Sequence, residues 1–250
     1  MYPEIRFSAE FAIPTYFLFL SLLFSFLVVY VFRRAQKLKT NVDLALHLSL
    51  LIMAFGLIGG RALHVLYEQP KIYLANPELI FQIWQGGFVF YGGAIAATLA
   101  CAVTLYRRHE NFWAWADFFA PAVSLGYGLG RISCFLAGCC YGKACVLPWA
   151  VKFQGGMATR HPTQLYTTAW ELIGFAVLIY LEKKTELRKK YGLLFSGYLV
   201  WHALGRIVIE LYRDDFRGDL IAGISLSSWI SFGIFGAGLW LLFDRSRQKI

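Results

Sequence analysis

Four of the chain's five cysteines fall within the sixteen residues "GRISCFLAGCCYGKAC", 130–145, next to Arg131. Thiols ligate metals, exchange disulfides and attack electrophiles, so three chemistries are open at once. Metal sites usually pair cysteines as C-x2-C, with histidine or a second pair, whereas Cys134, Cys139, Cys140 and Cys145 are spaced five, one and five. The redox motif C-x-x-C is absent, and adjacent Cys139 and Cys140 are expected to project in different directions. On an outer, oxidising face a disulfide such as Cys140 to Cys145 would pin the loop. Disulfide formation or small-residue packing is the first reading, a role at an active site the second, and metal ligation the third.

The arginines carry a second chemistry. Arg61, Arg131 and Arg206 lie within or at the ends of hydrophobic stretches, where an unpaired charge costs about 3 kcal/mol on insertion scales. One such arginine is explained by snorkelling to the interface; three at the outer ends of three helices point to an anion site. Arg206, Glu210 and Arg213, spaced four and three, form a stripe on one helical face. Glu210 offsets the burial of Arg206, Arg213 leaves the stripe net positive, and a guanidinium matches two phosphate oxygens. The plain alternative is an interhelical salt-bridge lock.

Three further motifs offer partners. In "GGRALHVLYE", Arg61, His64 and Tyr67 recur at a spacing of three, and Gly59 and Gly60 let another backbone approach. His64 reads first as a core histidine. "IWQGGFVFYGGAIAA" sets Gly86-Gly87 and Gly92-Gly93 around an aromatic turn, a composition suited to tight turns and close approach to a ligand. "RHPTQLY", 160–166, supplies Pro162 for a first helical turn, Thr163, Gln164 and Tyr166 as hydrogen-bonding groups, and His161, which can exchange a proton near neutral pH.

Composition names the elements that must hold these residues. Hydrophobic residues make up 58% and charged residues 16% of the 250, and the mean hydropathy is +0.54, the profile of an all-α integral membrane protein. A spanning helix needs roughly 20 mostly apolar residues, which predicts seven transmembrane helices near 13–32, 44–66, 87–106, 113–134, 164–182, 192–212 and 221–243. The first stretch is too long for a signal-peptide h-region and lacks a small-residue cleavage site, so it is expected to be a mature helix. The whole chain, 1–250, reads as one seven-helix membrane domain with two longer loops, 66–86 and 135–163. In the first, "PELIFQIW" is expected to lie at the interface as a short helix.

Charge then orients the bundle. Of 24 basic residues, fourteen fall on the side holding 33–39, 107–108, 183–190 and 245–249, and seven on the other. By the positive-inside rule the first side is cytoplasmic, so the N-terminus is outside and the C-terminus inside. The net charge of +9 is thereby assigned to the membrane rather than to nucleic acid.

Taken in order, these motifs resemble the prolipoprotein diacylglyceryl transferase family: Tyr16 near the start of helix one, "GGRALHVLY", "WQGGFVFYGG", Gly130-Arg131 followed by Phe135, Gly138 and Gly142, "RHPTQLY", and the Arg206, Glu210, Arg213 stripe. The chain differs where the family usually has asparagine (Cys134, Ala137), glutamate (Cys139) and often histidine (Tyr91), and its outer segment 143–159 is short. The resemblance implies a multi-pass enzyme of the bacterial inner membrane with short periplasmic loops. It moves diacylglyceryl from phosphatidylglycerol to the lipobox cysteine thiol of a preprolipoprotein signal peptide, releasing glycerol phosphate and forming a thioether. Neither cofactor nor metal is implied.

That chemistry requires an anion clamp and a route for the thiol proton. Arg131 and Arg206 are the expected clamp, with Glu210 orienting Arg206 and with Arg61 and Arg213 in support. Tyr16, Gly92, Gly93, Gly130, Gly142, Gln164 and Tyr166 are expected to line the substrates. The base is open among Tyr91, His161 and His64, since a phenol is a poor base unless an arginine favours its anion. A covalent lipid on an enzyme cysteine is disfavoured because a thioether is a dead end, so direct transfer is expected. Two rival classes remain. A membrane anion or lipid transporter, or lipid-binding protein, would predict broken helices and an internal repeat, and no convincing repeat is found; a thiol-disulfide membrane enzyme would need a reactive pair among the outer cysteines.

Overall fold

The computed structural model of the chain describes residues 4–6, 12–153, 156–184, 190–214 and 224–247. A short antiparallel pair, β1 (Glu4–Arg6) and β2 (Ala12–Pro14), leads into α1 (Thr15–Leu38). There follow α2 (Val42–Leu63), α3 (Pro70–Ala75), α4 (Phe90–Arg107), α5 (Phe112–Ala137), a two-stranded pair β3 (Val151–Lys152) and β4 (Thr159–Arg160), then α6 (Thr163–Glu182), α7 (Leu193–Glu210) and α8 (Leu226–Arg247). Of the residues in the charge count, Arg188, Lys189, Arg217 and Lys249 lie outside the described residues, as does the start of the predicted span 221–243.

Among the described residues, six helices are long and apolar enough to cross a membrane: α1, α2 with its extension to Glu68, α5, α6, α7 and α8. Seven spans were expected. Of the other two, α3 has only 6 residues, and α4 has 18, about 27 Å of rise, but Gly92, Gly93, Tyr106 and Arg107 dilute its apolar content. The chain is thus an all-α membrane protein with six helices that qualify by length and composition.

The chain divides into two compact units, 28–112 and the remainder, each described by itself. In 28–112, Asn41 caps α2 by accepting the Leu44 N–H at 3.0 Å, and α2 packs along α4 through small residues. A Cβ on Gly93 would come within 2.5 Å of the Gly56 carbonyl, and one on Gly59 equally close to the Gly92 carbonyl. The predicted interfacial helix "PELIFQIW" is instead two 3-10 turns, Pro77–Phe81 and Ile83–Gln85. A regular helix would spend its carbonyls on its own backbone, whereas here several of them face Arg61.

In the other unit, α5, α6 and α7 pack around Ala120, Leu178, Leu194 and Tyr198. Asp117 on α5 caps α7 by accepting the Gly192 and Phe195 N–H groups, both at 2.7 Å. Trp170 and Trp201 stack with ring centres 4.3 Å apart, and each indole N–H donates to the other's carbonyl, at 3.0 and 3.1 Å. Between these helices lies a cavity of about 320 Å³ with an almost wholly apolar lining that includes Leu178, Leu194, Trp201 and Leu242. Beyond α5, residues 142–145 run antiparallel to 159–161 and also pair with 212–213, tying the outer loop to the end of α7.

Candidate active site

In the unit that holds α5 to α8, the polar residues collect where α5 and α7 end and α6 begins. On α7, Arg206 is 6% exposed; its Nη2 donates to Glu210 Oε2 and to Ser227 Oγ, each at 2.9 Å. Glu210 Oε1 accepts from Ser225 at 2.8 Å and Ser227 at 3.2 Å. The serines before and in the first turn of α8 therefore neutralise Glu210 together with one edge of the guanidinium. Arg206 Nη1 is buried and has no hydrogen-bond partner among the described residues. An orphan cationic donor in a buried place is costly unless an anion completes it. Ser225 and Ser227 were not anticipated; a run of serines opening an apolar helix was the available signal.

Arg131, at the end of α5, donates from Nη2 to the Tyr127 hydroxyl at 2.5 Å and lies over that ring, 4.8 Å from its centre. Tyr127 is also edge-on to His202, whose Nδ1 is 2.6 Å from Glu171 Oε1. Glu171 is 1% exposed and also accepts from Ser124 Oγ at 3.0 Å. A buried hydrogen-bonded network thus backs Arg131 from inside the bundle. The sequence reading missed Tyr127, Glu171 and His202, although a lone acid and a histidine inside apolar spans are signals in themselves.

The cysteines converge, contrary to expectation. Gly138 (φ +74) ends α5 in a left-handed turn: its N–H donates to the Phe135 carbonyl and the Cys139 N–H to the Cys134 carbonyl, both at 3.1 Å. This is the Schellman arrangement, which brings the side chain two residues past the cap over the one five residues earlier. Cys140 then also takes a positive φ, +64, and the three sulfurs of Cys134, Cys139 and Cys140 lie within 4.8 Å of one another. The proposed Cys140 to Cys145 disulfide is not formed; all five cysteines are free thiols. Hydrogen bonds from the Cys134 and Cys139 thiols, helped by the guanidiniums of Arg213 and Arg131, hold the Cys140 thiol well below the usual range. The contacts with Cys134 and Cys140, with burial, push the Cys139 thiol up.

The loop motif frames this cluster from α6. Gln164, 1% exposed, donates from Nε2 to the Cys139 carbonyl at 2.5 Å, and Thr163 Oγ1 donates to the Cys140 carbonyl at 2.8 Å. Gln164 Oε1 is buried and has no hydrogen-bond partner among the described residues. His161 Nδ1 is 3.0 Å from the Tyr166 hydroxyl, which also accepts from Trp149 at 2.8 Å. Gly142 has no room for a side chain: a Cβ there would stand 2.5 Å from the Tyr212 carbonyl and 2.7 Å from His161 Cβ. Its role is to let three chain segments meet. Buried Arg213 pairs with Gly142 through the backbone. Tyr16 is within electrostatic reach of Arg131 and the three thiols, and Gly130 faces Leu23 with space to spare.

Within 28–112 the expectations change more. Arg61 donates from Nε to the Ile80 carbonyl (3.1 Å), from Nη1 to those of Gly86 (2.5 Å) and Gly87 (3.3 Å), and from Nη2 to those of Leu79 (2.6 Å) and Gln82 (3.5 Å). All five N–H donors of a guanidinium are used on backbone. In this arrangement Arg61 organises the loop, its donors facing backbone carbonyls rather than open space. The equal spacing of Arg61, His64 and Tyr67 does not produce one face, because 64–68 form a π turn; His64 is buried and paired with Glu68, while Tyr67 is 65% exposed. Gly92 and Gly93 serve the contact with α2, which occupies the space a ligand would need above them. Tyr91 lies in the first turn of α4, edge-on to Phe90.

Comparison with known proteins gives the family. A family profile described as prolipoprotein diacylglyceryl transferase matches residues 4–243. Curated relatives named phosphatidylglycerol–prolipoprotein diacylglyceryl transferase include one from Clostridium tetani, 30% identical and covering 89% of both chains. Others come from Methylobacillus flagellatus (35% identical, over 86% of this chain and 82% of the relative) and Nitrosomonas europaea (38%, over 75% and 68%). With a family match over nearly its whole length, and a buried arginine site at the helix ends where the motifs fall, the chain belongs to the prolipoprotein diacylglyceryl transferase family.

Proposed function

We propose that the chain transfers diacylglyceryl from phosphatidylglycerol to the lipobox cysteine thiol of preprolipoproteins, as a seven-span enzyme of the bacterial inner membrane with its N-terminus outside and its C-terminus cytoplasmic. The observation that carries the chemistry is the buried Nη1 of Arg206, which has no hydrogen-bond partner among the described residues and stands beside a carboxylate that already has partners of its own. Such a donor holds a phosphodiester and gains strength as negative charge grows on the leaving phosphate. Arg131 and Arg213 complete the clamp, and Glu210 fixes Arg206. The acceptor sulfur attacks the glycerol carbon, the carbon–oxygen bond breaks, and its electron pair leaves with glycerol phosphate. His161, held through Nδ1 by Tyr166, takes the thiol proton. Tyr16, Gly130, Gly142, Gln164 and Tyr166 line the substrates.

The test is direct: purified full-length protein, phosphatidylglycerol micelles and a synthetic lipobox peptide. Glycerol phosphate release matched by a diacylglyceryl mass gain on the peptide cysteine is expected. Lipid turnover without a change in peptide mass would refute the reading.

A further inference from the structure

We propose that Cys134, Cys139 and Cys140 form a three-thiolate site for a zinc-class divalent cation, whose open fourth position takes the acceptor thiol. The second half rests on the transferase reading above; the first does not. Zinc–sulfur bonds are about 2.3 Å, which at a tetrahedral angle sets sulfurs about 3.8 Å apart. The three thiols already lie within 4.8 Å of one another, so closure asks for no more than about 1 Å, within the reach of side-chain rotation.

The convergence is built into the backbone. Positive φ at Gly138 and Cys140 turns the chain back on α5, and two buried side chains of α6, Thr163 and Gln164, fix the carbonyls of Cys140 and Cys139. Hydrogen bonds behind the ligating residues are what hold a metal site in shape. The donor set is all sulfur, which selects soft or borderline cations over magnesium or calcium. Charge also balances. A divalent cation with three thiolates carries −1 and with a fourth −2, and the guanidiniums of Arg131 and Arg213 both act on this cluster. Without the thiolates, those arginines would repel a cation.

Three protein ligands and one open position is the pattern of catalytic rather than structural zinc. A thiol entering that position is deprotonated outright; its proton leaves to water or His161. The sulfur lone pair then forms the carbon–sulfur bond as the carbon–oxygen bond breaks and the electron pair departs with glycerol phosphate. The thioether produced is a weaker ligand than a thiolate and dissociates, returning the site with no oxidation or reduction. The arrangement brings the nucleophile beside Arg131 and Arg213 of the anion clamp.

Purified full-length protein, reduced and stripped with a chelator, is titrated with Cd²⁺ and followed by thiolate-to-metal charge-transfer absorption. One ion per chain is expected, retained in C101S/C145S and lost in C134S/C139S/C140S. Transfer to a lipobox peptide by the stripped enzyme should fall by about 100-fold or more, the scale of a lost proton-transfer aid, and return with one equivalent of Zn²⁺. Binding that survives in the triple variant, no binding at equimolar Cd²⁺, or a disulfide within the trio in protein purified without reductant would overturn the site. Metal binding with transfer unchanged by stripping would overturn the role of the fourth position. A zinc-loaded enzyme that binds Cd²⁺ but never transfers lipid would instead refute the transferase reading, and the acceptor role with it.

Discussion

Arg61 and Arg206 show how two buried arginines of similar sequence setting come to differ. Both are under 10% exposed, yet Arg61 has five carbonyl acceptors while Arg206 Nη1 has no partner among the described residues. Replacing Arg206 by alanine should lower kcat/KM, measured per folded enzyme, by roughly 100- to 1000-fold, the cost of removing a preorganised transition-state donor. Lysine at this position should rescue little, since it cannot hold Glu210 and an anion with one planar fork. Arg61→Ala should behave in the opposite way. It strands the carbonyls of 79–87 and should cost at least about 2 kcal/mol, read as a lower unfolding temperature, while KM for phosphatidylglycerol per folded enzyme stays put. A large rise in KM with normal stability would return Arg61 to the support of the clamp.

At the scale of elements, two devices decide what the helices present. The first is the backbone contact of α2 with α4, where Gly56, Gly59, Gly92 and Gly93 bring the chains together. A helix that faces protein on one side can be less apolar than one that faces lipid, which accounts for the weak hydropathy of α4. Gly93→Leu has no room and should destabilise by about 1–3 kcal/mol through overpacking; unaltered unfolding of that variant would show that α2 and α4 do not meet this way. The second device is the set of capping contacts at the ends of α5 and α7. The Schellman turn after Ala137 aims the thiols, and Asp117 seats the start of α7. The buried Glu171, with His202 and Ser124 on it, joins α5, α6 and α7 behind Arg131. Glu171→Ala leaves these partners uncompensated and should cost about 3–5 kcal/mol, with Glu171→Gln milder.

For the whole molecule, the distribution of basic residues predicts a cytoplasmic C-terminus, so that a C-terminal fluorescent-protein fusion should glow while a C-terminal alkaline phosphatase fusion should be inactive. The reverse pattern would mean an even number of spans, as the six strongly apolar helices alone would give. Sequence by itself determined the membrane class, the places of the long helices and the family, because transfer free energy is a sum over neighbouring residues and the motifs are local strings. It also pointed to Arg131, Arg206, Glu210 and Arg213, since charges in apolar spans stand out without any fold. Only the tertiary structure decided which arginine still has a donor to offer. Hydrogen-bond satisfaction depends on carbonyls brought in from 18 to 26 residues away, and no spacing rule records them. It likewise turned cysteines spaced five and one into a cluster, because two positive φ angles after α5 set where their side chains point.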